Sequence, residues 1–346
     1  MQEAIFLLSY LPVYLGVNLE SSATCNLRCR VCPTTNYAQH GRNGYLSVKT
    51  FDLIRPFLEG MPQGVDLTGW GEPLMNPYLP AIIDILPGVT FTTNGHLLDT
   101  RWATRLVKCR VGAVAFSIDA AIEETYVSIH GRGDFAVVWR NVAGLRKARD
   151  FIGVNLPFIS VHFLLMKSNL MELPDFVDRA ADTGADEVVA KHIALFARPG
   201  QEREALFTGY FKNIHPDDSL RDEVLQKTQD RAEARGITFR FVGSNIARPV
   251  ESCFGGALER PFITIDGYVA PCCVLAHEVP RLSPLGEPSP APILFFGSLE
   301  KDTLQNIWRL KEYKAFRDAI KRGNPPLQCR YCLGAWSVTV DTGRLD

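Results

Sequence analysis

The chain has 346 residues, of which 46% are hydrophobic and 22% charged, and its formal net charge is −1. Such a composition is typical of a globular protein with a sizeable core, and the length suits one large domain with a smaller one. Because the sequence has neither the basic excess nor the basic stripe of a nucleic-acid-binding protein, we expect no nucleic acid among its partners.

Residues 5–17 form an apolar stretch that is too short to span a bilayer and contains Pro12. No small-residue cleavage site follows this stretch, so we interpret it as the lead-in to a first strand rather than as an export signal. Contact with a membrane surface is the alternative. We therefore expect a cytoplasmic protein with no transmembrane segment.

Residues 1–193 alternate between short apolar runs and helix-like segments, which is the pattern of βα units around a parallel sheet. The predicted strands are residues 17–21, 65–68, 89–93, 113–118, 159–166 and 187–191. The predicted helices are residues 48–58, 76–86, 102–108, 135–150 and 173–183. Six units predict an α/β fold with an open, partial (β/α)6 TIM-like barrel, in which chemistry collects at the carboxyl ends of the strands.

Residues 1–195 are predicted to form the barrel core, and a polar, helix-rich bridge over residues 196–238 is predicted to complete it. Residues 239–346 are predicted to form a small unit of short strands with five of the nine cysteines. Within this unit, Asp266 and Gly267 are the turn signal of a β-hairpin. Residues 280–292 are rich in Pro, Ser and Gly, and residues 303–322 have the spacing of an amphipathic helix.

Cys25, Cys29 and Cys32 have the spacing C-x3-C-x2-C and directly follow the first predicted strand. In a cytosolic chain, cysteines grouped in this way are metal ligands before they are disulfides. Three thiolates can hold three irons of a cubane cluster and leave the fourth iron open to another ligand. A structural zinc site is the alternative, with His40 as its candidate fourth ligand. Cys109 stands alone and is interpreted as a small buried hydrophobe.

Polar residues and glycines follow the other predicted strands. Simpler interpretations are an ordinary turn for Gly-Glu-Pro, helix caps for Asn94 and Asp119, and a structural group for His192. Their shared position at strand ends favours one common site. The residues are Gly71, Glu72 and Pro73 after the second strand, Thr93 and Asn94 after the third, Ser117 and Asp119 after the fourth, Asn169 after the fifth, and Lys191 and His192 at the sixth.

Cys253 and Cys272 flank the predicted hairpin, whose turn brings Cys272 back towards Cys253. Cys329 and Cys332 supply a second pair after the amphipathic helix. Four thiolates can complete a cluster without an open iron, which suits electron transfer or a structural role. Cys273 is an alternative to Cys272 as a ligand, and a zinc knuckle is the alternative to the cluster.

The motifs of the first 193 residues together resemble those of the radical SAM superfamily. The resemblance implies a [4Fe–4S] cluster on Cys25, Cys29 and Cys32, whose open iron is chelated by S-adenosylmethionine (SAM). It implies that an electron from the cluster splits the S–C5′ bond, and that the resulting 5′-deoxyadenosyl radical abstracts a hydrogen atom from substrate. The sequence departs from the family at Val31, because an aromatic residue that packs near the adenine usually precedes the third cysteine.

The resemblance also implies that the residues at the strand ends bind SAM. In particular, the carboxylate of Glu72 is expected to accept a hydrogen bond from the SAM ammonium group. Lys191 and His192 are also expected to point towards the substrate cavity. The expected cofactor-binding residues are Gly71, Glu72, Pro73, Thr93, Asn94, Ser117, Asp119, Asn169 and Lys191.

The last hundred residues resemble the SPASM and Twitch extensions of radical SAM enzymes, in which the hairpin C-x13-G-x4-C recurs. This resemblance implies an auxiliary [4Fe–4S] cluster on Cys253, Cys272, Cys329 and Cys332. Because no cysteine follows Cys332, the Twitch-like form with a single auxiliary cluster is favoured.

From these resemblances we expect an oxidoreductase-like radical SAM enzyme. Its substrate is expected to be a small polar molecule such as a sugar, nucleoside or aminocyclitol, changed by oxidation or a related rearrangement or decarboxylation. Its reductant is expected to be a protein such as flavodoxin or ferredoxin. The alternative enzyme is a maturase that crosslinks or epimerises a precursor peptide, although only 24 residues precede Cys25 and leave no room for a fused peptide-recognition domain. A non-catalytic metal-binding protein is the remaining alternative.

Overall fold

The structure, a computed structural model, describes residues 16–33, 43–59, 64–193, 195–196, 198–206, 218–244, 253, 255–278, 281–282, 288–289, 292–329, 332 and 337–340. His40, residues 5–15 of the apolar stretch and most of the predicted 280–292 loop lie outside these ranges. Within them, no helix combines the length and the apolar character needed to cross a membrane.

Seven parallel strands form the centre of the sheet. The first six confirm the predicted partial barrel and differ from the predicted bounds by at most a few residues. The seventh was not predicted as part of the barrel. It extends the parallel sheet into residues 239–244, which were predicted to belong to the small cysteine-bearing unit. The strands are β1 (Val17–Leu19), β2 (Val65–Asp66), β3 (Thr90–Thr93), β4 (Ala113–Ser117), β5 (Phe158–Leu165), β6 (Glu187–His192) and β7 (Thr238–Ser244).

The cysteine-bearing unit extends this sheet at both ends. β8 (Phe262–Ile263) pairs in parallel with β1, and β9 (Tyr268–Ala270) pairs antiparallel with β8. The predicted hairpin turn is confirmed, and Gly267 supplies its left-handed backbone with a φ of 80°. In the described residues the sheet has eleven strands and its two ends do not pair, so the barrel is open. The outer strands are β12 (Gly297–Ser298) next to β9 and β13 (Ser337–Val340) next to β7, while β10 (Arg281–Leu282) and β11 (Pro288–Ser289) form a separate pair.

Ten α-helices surround the sheet in the described part of the chain. The helix Glu123–His130 was not predicted. The segment predicted as one helix over residues 303–322 is divided at Leu310, whose ψ of 139° is extended. The helices are α1 (Val48–Leu58), α2 (Leu79–Ile85), α3 (Thr100–Lys108), α4 (Glu123–His130), α5 (Phe135–Ile152), α6 (Leu173–Thr183), α7 (Asp218–Arg235), α8 (Cys273–Ala276), α9 (Leu304–Arg309) and α10 (Lys311–Lys321).

Capping residues set the ends of the helices that pack on the barrel. The side chains of Ser47, Asp99 and Asp134 accept hydrogen bonds from backbone amides in the first turns of α1, α3 and α5. Gly153 and Gly184 end α5 and α6 in the left-handed conformation that favours glycine. These capping residues determine where each of these helices begins or ends, and therefore how long the loops between strands and helices are.

The two faces of the sheet differ in chemistry, because successive strand residues point to opposite sides. One face is apolar and packs on the helices, as Phe163 of β5 does against Phe176 of α6 with ring centroids 4.9 Å apart. A closed barrel of this type normally fills its inside with branched apolar residues. Here the inner face of β4, β5 and β6 instead carries Ser117, Ser160, His162, Glu187 and Lys191.

Candidate active site

A cavity of about 370 Å³ lies at the carboxyl ends of β1 to β6, within the range of ligand-binding pockets. Cys25, Cys29 and Cys32 all line it. Several contacts from outside anchor their loop. The backbone amide of Arg30 donates to the carbonyl oxygen of Ile129 at 2.7 Å, and the side-chain amide of Asn94 lies 3.7 Å from the sulfur of Cys25.

The three thiols form a donor set that suits an iron–sulfur cluster. Burial raises the pKa of the Cys29 thiol, and the charges of Cys32 and Cys25 raise it further. Buried thiolates that repel one another are stabilised when a metal supplies positive charge, so metal binding and thiol deprotonation are coupled. Within the described ranges, no three His, Cys, Asp or Glu side chains lie close enough together to hold a single metal ion.

The glycine loop (residues 69–73) follows β2 and braces the cysteine loop. A side-chain carbon at Gly71 would lie 2.4 Å from the carbonyl oxygen of Thr24, which no real contact allows. The amide of Gly71 donates to Ser22 at 2.8 Å, and the amide of Glu72 donates to Thr24 at 2.9 Å. Gly71 was expected to contact SAM, and in the structure the absence of a side chain there also allows the backbone of residues 22–24 to approach closely.

Glu72 is 2% exposed and joins the glycine loop to the end of β3. Its carboxylate accepts hydrogen bonds from the hydroxyl of Thr93 at 2.6 Å, the amide of Asn94 at 2.7 Å and the amide of Leu74 at 3.0 Å. Burial raises the pKa of the Glu72 carboxyl, and these hydrogen bonds oppose that rise. Glu72, Thr93 and Asn94 line the cavity, whereas Pro73 begins a short 3-10 turn behind it.

Asp119 follows β4 with a φ of 64°, a left-handed conformation that is strained for a residue with a side chain. Its carboxylate accepts hydrogen bonds from the amide of Leu164 at 2.7 Å and the hydroxyl of Ser117 at 3.2 Å. Asn169 supports this conformation from behind, since its side-chain amide donates to the backbone carbonyls of Asp119 and Leu164, each at 2.9 Å. Ser117 and Asp119 line the cavity, while Asn169 does not.

Lys191 and His162 are part of the cavity wall along β5 and β6. The ammonium group of Lys191 donates to Nδ1 of His162 at 3.1 Å, and both side chains line the cavity. Burial lowers the pKa of Lys191 to about 8, with a smaller contribution from Arg240. His192 was expected to share this position, but it points to the other face of β6, where its ring packs 5.3 Å from that of Phe241.

The second cysteine group also comes together. Burial raises the pKa of the Cys272 thiol, and the charges of all four neighbouring thiols, those of Cys273, Cys253, Cys332 and Cys329, raise it further. Such a set of thiols suits an iron–sulfur cluster, and both Cys272 and Cys273 lie within it. Cys109 is instead half-buried near the surface.

Two residues that the sequence analysis did not single out connect the cavity with the second cysteine group. The indole of Trp70, which lines the cavity, donates to the carbonyl oxygen of Cys273 at 2.8 Å. The fully buried carboxylate of Glu20 accepts hydrogen bonds from the amide of Trp70 at 3.2 Å and lies 2.9 Å from Nε2 of His277. A carboxylate directly after an apolar strand was the available signal for Glu20.

Residues 19–180 match the sequence profile of the radical SAM superfamily, and residues 253–333 match that of the SPASM iron–sulfur cluster-binding domain. The chain belongs to the radical SAM superfamily. It is therefore an enzyme whose cofactors are SAM and a [4Fe–4S] cluster, with auxiliary iron–sulfur binding in its SPASM domain.

Relatives of this radical SAM protein have more than one described activity. A "Probable GTP 3',8-cyclase" of Methanocaldococcus jannaschii is 28% identical over 266 residues, which cover 72% of this chain and 81% of the relative. "Mycofactocin maturase MftC" of Mycobacterium tuberculosis is 29% identical over 170 residues, or 48% of this chain and 41% of the relative. The structure of Streptococcus suis SuiB bound to S-adenosylmethionine has the same fold, with a TM-score of 0.64 at 14% identity over 91% of this chain and 70% of SuiB.

In this radical SAM site, the cluster and the protein residues have different roles. When bound, the cluster supplies the electron for reductive cleavage of SAM. The chain holds three thiols on a loop that the glycine loop and α4 brace from two sides. The apolar side chains of Leu27 and Val31 in the cavity wall limit the access of water.

Proposed function

We propose that this radical SAM enzyme abstracts a hydrogen atom from a small polar substrate, such as a sugar, nucleoside or aminocyclitol, and oxidises or rearranges it. The observation that carries this proposal is the polar inner face of the barrel. Lys191 and His162 lie hydrogen-bonded to each other in the cavity wall. These groups can bind hydroxyl and amino groups of a substrate that an apolar wall would exclude.

The charges of the cavity favour a substrate without several phosphates. Lys191 is the only lysine or arginine among the described residues that line it, whereas Glu72 and Asp119 are acidic. A triphosphate is usually bound by several cationic or backbone donors. The activity named for the methanogen relative, on GTP, is therefore not the one that we propose here, although a nucleoside remains within the proposed class.

We propose roles for the other site residues as well. Cys25, Cys29 and Cys32 ligate the SAM-binding cluster, and the residues at the strand ends position SAM. A flavodoxin or ferredoxin supplies the electron. The auxiliary cluster accepts the electron that remains after hydrogen abstraction. The SAM-positioning residues are Gly71, Glu72, Thr93, Asn94, Ser117 and Asp119, with Pro73 and Asn169 supporting them, and the auxiliary ligands are Cys253, Cys272, Cys329 and Cys332.

The second candidate is a maturase that modifies a precursor peptide. The observation in its favour is the similarity of 170 residues to a mycofactocin maturase. The two candidates differ in where the abstracted hydrogen comes from, which a labelled substrate can show directly.

The test is transfer of deuterium into 5′-deoxyadenosine from a panel of deuterated sugars, nucleosides, aminocyclitols and peptides. We expect transfer from a member of one of the first three classes. We also expect Lys191→Met to raise the KM for that substrate, while Lys49→Met, a change at an exposed lysine, leaves it unaltered. Transfer from a peptide, with none from the small molecules, would establish the maturase instead.

A further inference from the structure

Trp70 of the glycine loop joins the cavity to the cysteine-bearing unit. The residue lines the cavity, and its side chain packs with a small apolar cluster formed by Phe262, Ala270 and Ala276. Its indole N–H donates a hydrogen bond of 2.8 Å to the backbone carbonyl oxygen of Cys273, which lies 203 positions away in the chain. One side chain of the barrel is thus held by the unit that carries the second cysteine group.

Glu20 fixes the backbone at the start of the same loop. Its fully buried carboxylate accepts hydrogen bonds from the amides of Trp70 at 3.2 Å and Ile265 at 3.4 Å. It also lies 2.9 Å from Nε2 of His277. A side-chain carbon at Gly69 would lie 2.5 Å from Cγ of Glu20, so this close approach requires a glycine. Glu20 therefore holds the glycine loop against two segments of the cysteine-bearing unit.

The hydrogen bond of Trp70 connects two proposed cofactor sites. Only Gly71 separates Trp70 from Glu72, and both Gly71 and Glu72 position SAM in the proposed function. Its acceptor, Cys273, directly follows Cys272, a proposed ligand of the auxiliary cluster. Ligation orders the backbone beside a ligand, because metal binding and local folding are coupled. The position of the glycine loop should therefore depend on whether the auxiliary cluster is present.

We propose that Trp70 is a positioning residue through which the auxiliary cluster strengthens the binding of SAM. The proposal rests on the proposed function, since it needs the auxiliary cluster at the second cysteine group and SAM at the glycine loop. Without that cluster the carbonyl oxygen of Cys273 is no longer held in place, and the indole loses a fixed acceptor. The glycine loop is then less often in the conformation that binds SAM, and the affinity falls.

The test measures the affinity for SAM by equilibrium dialysis of oxidised, reconstituted full-length protein, which binds SAM without cleaving it. Wild type, Cys329→Ala, Trp70→Phe and the variant with both changes are compared. Phenylalanine at position 70 keeps a ring in the apolar cluster but has no N–H group. Trp139→Phe is the matched control, because the indole of Trp139 is buried, does not line the cavity and has no hydrogen-bond partner for its nitrogen among the described residues.

We expect Cys329→Ala to raise the Kd for SAM roughly two- to tenfold in the wild-type background, the range for one neutral hydrogen bond. The same change should leave the Kd unaltered in the Trp70→Phe background, whereas Trp139→Phe should respond like wild type. If Trp70 were only structural, Cys329→Ala would raise the Kd by the same factor in both backgrounds, and that result would overturn the inference.

The comparison of wild type with Cys329→Ala decides the inference even where a Trp70 variant fails to fold. An unchanged Kd in Cys329→Ala that has lost its auxiliary iron would overturn this inference alone. Reconstituted wild type that holds only one four-iron cluster, or that binds no SAM, would overturn the proposed cofactor sites as well.

Discussion

The hydroxyl of Thr93 donates a hydrogen bond of 2.6 Å to Oε1 of Glu72 and thereby joins the end of β3 to the glycine loop. The other carboxylate oxygen of Glu72 accepts from the amide of Asn94 at 2.7 Å. One buried carboxylate thus holds two strand ends together and also lines the cavity. A change at this residue should affect folding and SAM binding together.

Glu72→Gln tests this double role. The amide group of glutamine has one acceptor oxygen, so a hydrogen-bond donor of Thr93 or Asn94 would meet another donor. We expect stability to fall by about 1.5–3 kcal/mol, the range for a hydrogen bond to a charged group. SAM affinity should fall roughly tenfold to a hundredfold.

Urea unfolding and SAM titration of the reconstituted protein measure the two effects of Glu72→Gln. Glu59→Gln is the control, because Glu59 is half-exposed and pairs only with Arg55 among the contacts described for it. Lower stability with unchanged SAM affinity would show that Glu72 is a structural residue alone.

Two glycine substitutions should have opposite effects. Gly71→Ala would place a carbon 2.4 Å from the backbone of Thr24, and the segment leading to Cys25 would have to move. Gly144 lies within α5, and a side-chain carbon there meets nothing within 4 Å. We expect Gly71→Ala to lower the melting temperature and the iron content, and Gly144→Ala to stabilise the protein by about 0.5–1 kcal/mol. Full iron content in Gly71→Ala would contradict the bracing role of the glycine loop.

The two cysteine groups should separate SAM cleavage from turnover. We expect about eight irons per chain, from two four-iron clusters, and loss of half of them when the three cysteines of the first group are changed to alanine. Cys25→Ala should abolish formation of 5′-deoxyadenosine, while Cys329→Ala should retain some cleavage but no product.

Cys109→Ala is the control for these cysteine variants. The thiol of Cys109 donates a hydrogen bond to the carboxylate of Asp84 at 3.0 Å and belongs to neither cysteine group. Iron analysis and chromatography of the nucleoside provide the measurements. Equal yields of 5′-deoxyadenosine from wild type and Cys25→Ala, or stoichiometric zinc in place of iron, would disprove the assignment.

Lys191 should make stability depend on pH. Its pKa falls from 10.5 to about 8 on folding, mainly because of burial. Between these two values the unfolded chain binds a proton that the folded chain does not, so stability increases as the pH rises through this window. This gain in stability is on the order of 3 kcal/mol, and it is lost as the pH falls to about 8.

Unfolding of wild type and Lys191→Met by urea at several pH values between 7 and 10 checks this dependence. The difference in stability between the two proteins should change in favour of wild type as the pH rises above 8. Lys49→Met, at a side chain that is 84% exposed, should show no such trend. A pH-independent difference for Lys191→Met would indicate that the amine titrates normally.

Local patterns predicted most of the barrel. The bounds of α1 and α6 agree with the prediction to the residue, because an amphipathic repeat and a terminal signal mark each of them. The turn at Gly267 was predictable from the Asp266-Gly267 pair, a short turn signal. By contrast, α4 has a weak apolar periodicity and no side-chain cap at its first residue, so the pattern did not reveal it.

The contacts that complete the site could not be read from spacing. His130 reaches Cys29 only because α4 packs beside the cysteine loop, and Glu20 meets His277 across 257 positions. Gly71 likewise has to be a glycine because the backbone of Ser22 and Thr24 packs against it in the folded chain. Sequence periodicity reports how one element is built, whereas these contacts depend on where separate elements meet.

β1 lies between β2 on one side and β8 on the other, so a strand from the first half of the chain is covered by one from the second. A chain truncated before residue 253 would leave one row of N–H and C=O groups along β1 open as a sheet edge. Such an edge is a template for pairing with another molecule, and it would stand immediately before the loop that carries Cys25. Expressed without residues 253–346, about a quarter of the chain, the barrel should self-associate through β1, and the cysteine loop would become part of the contact.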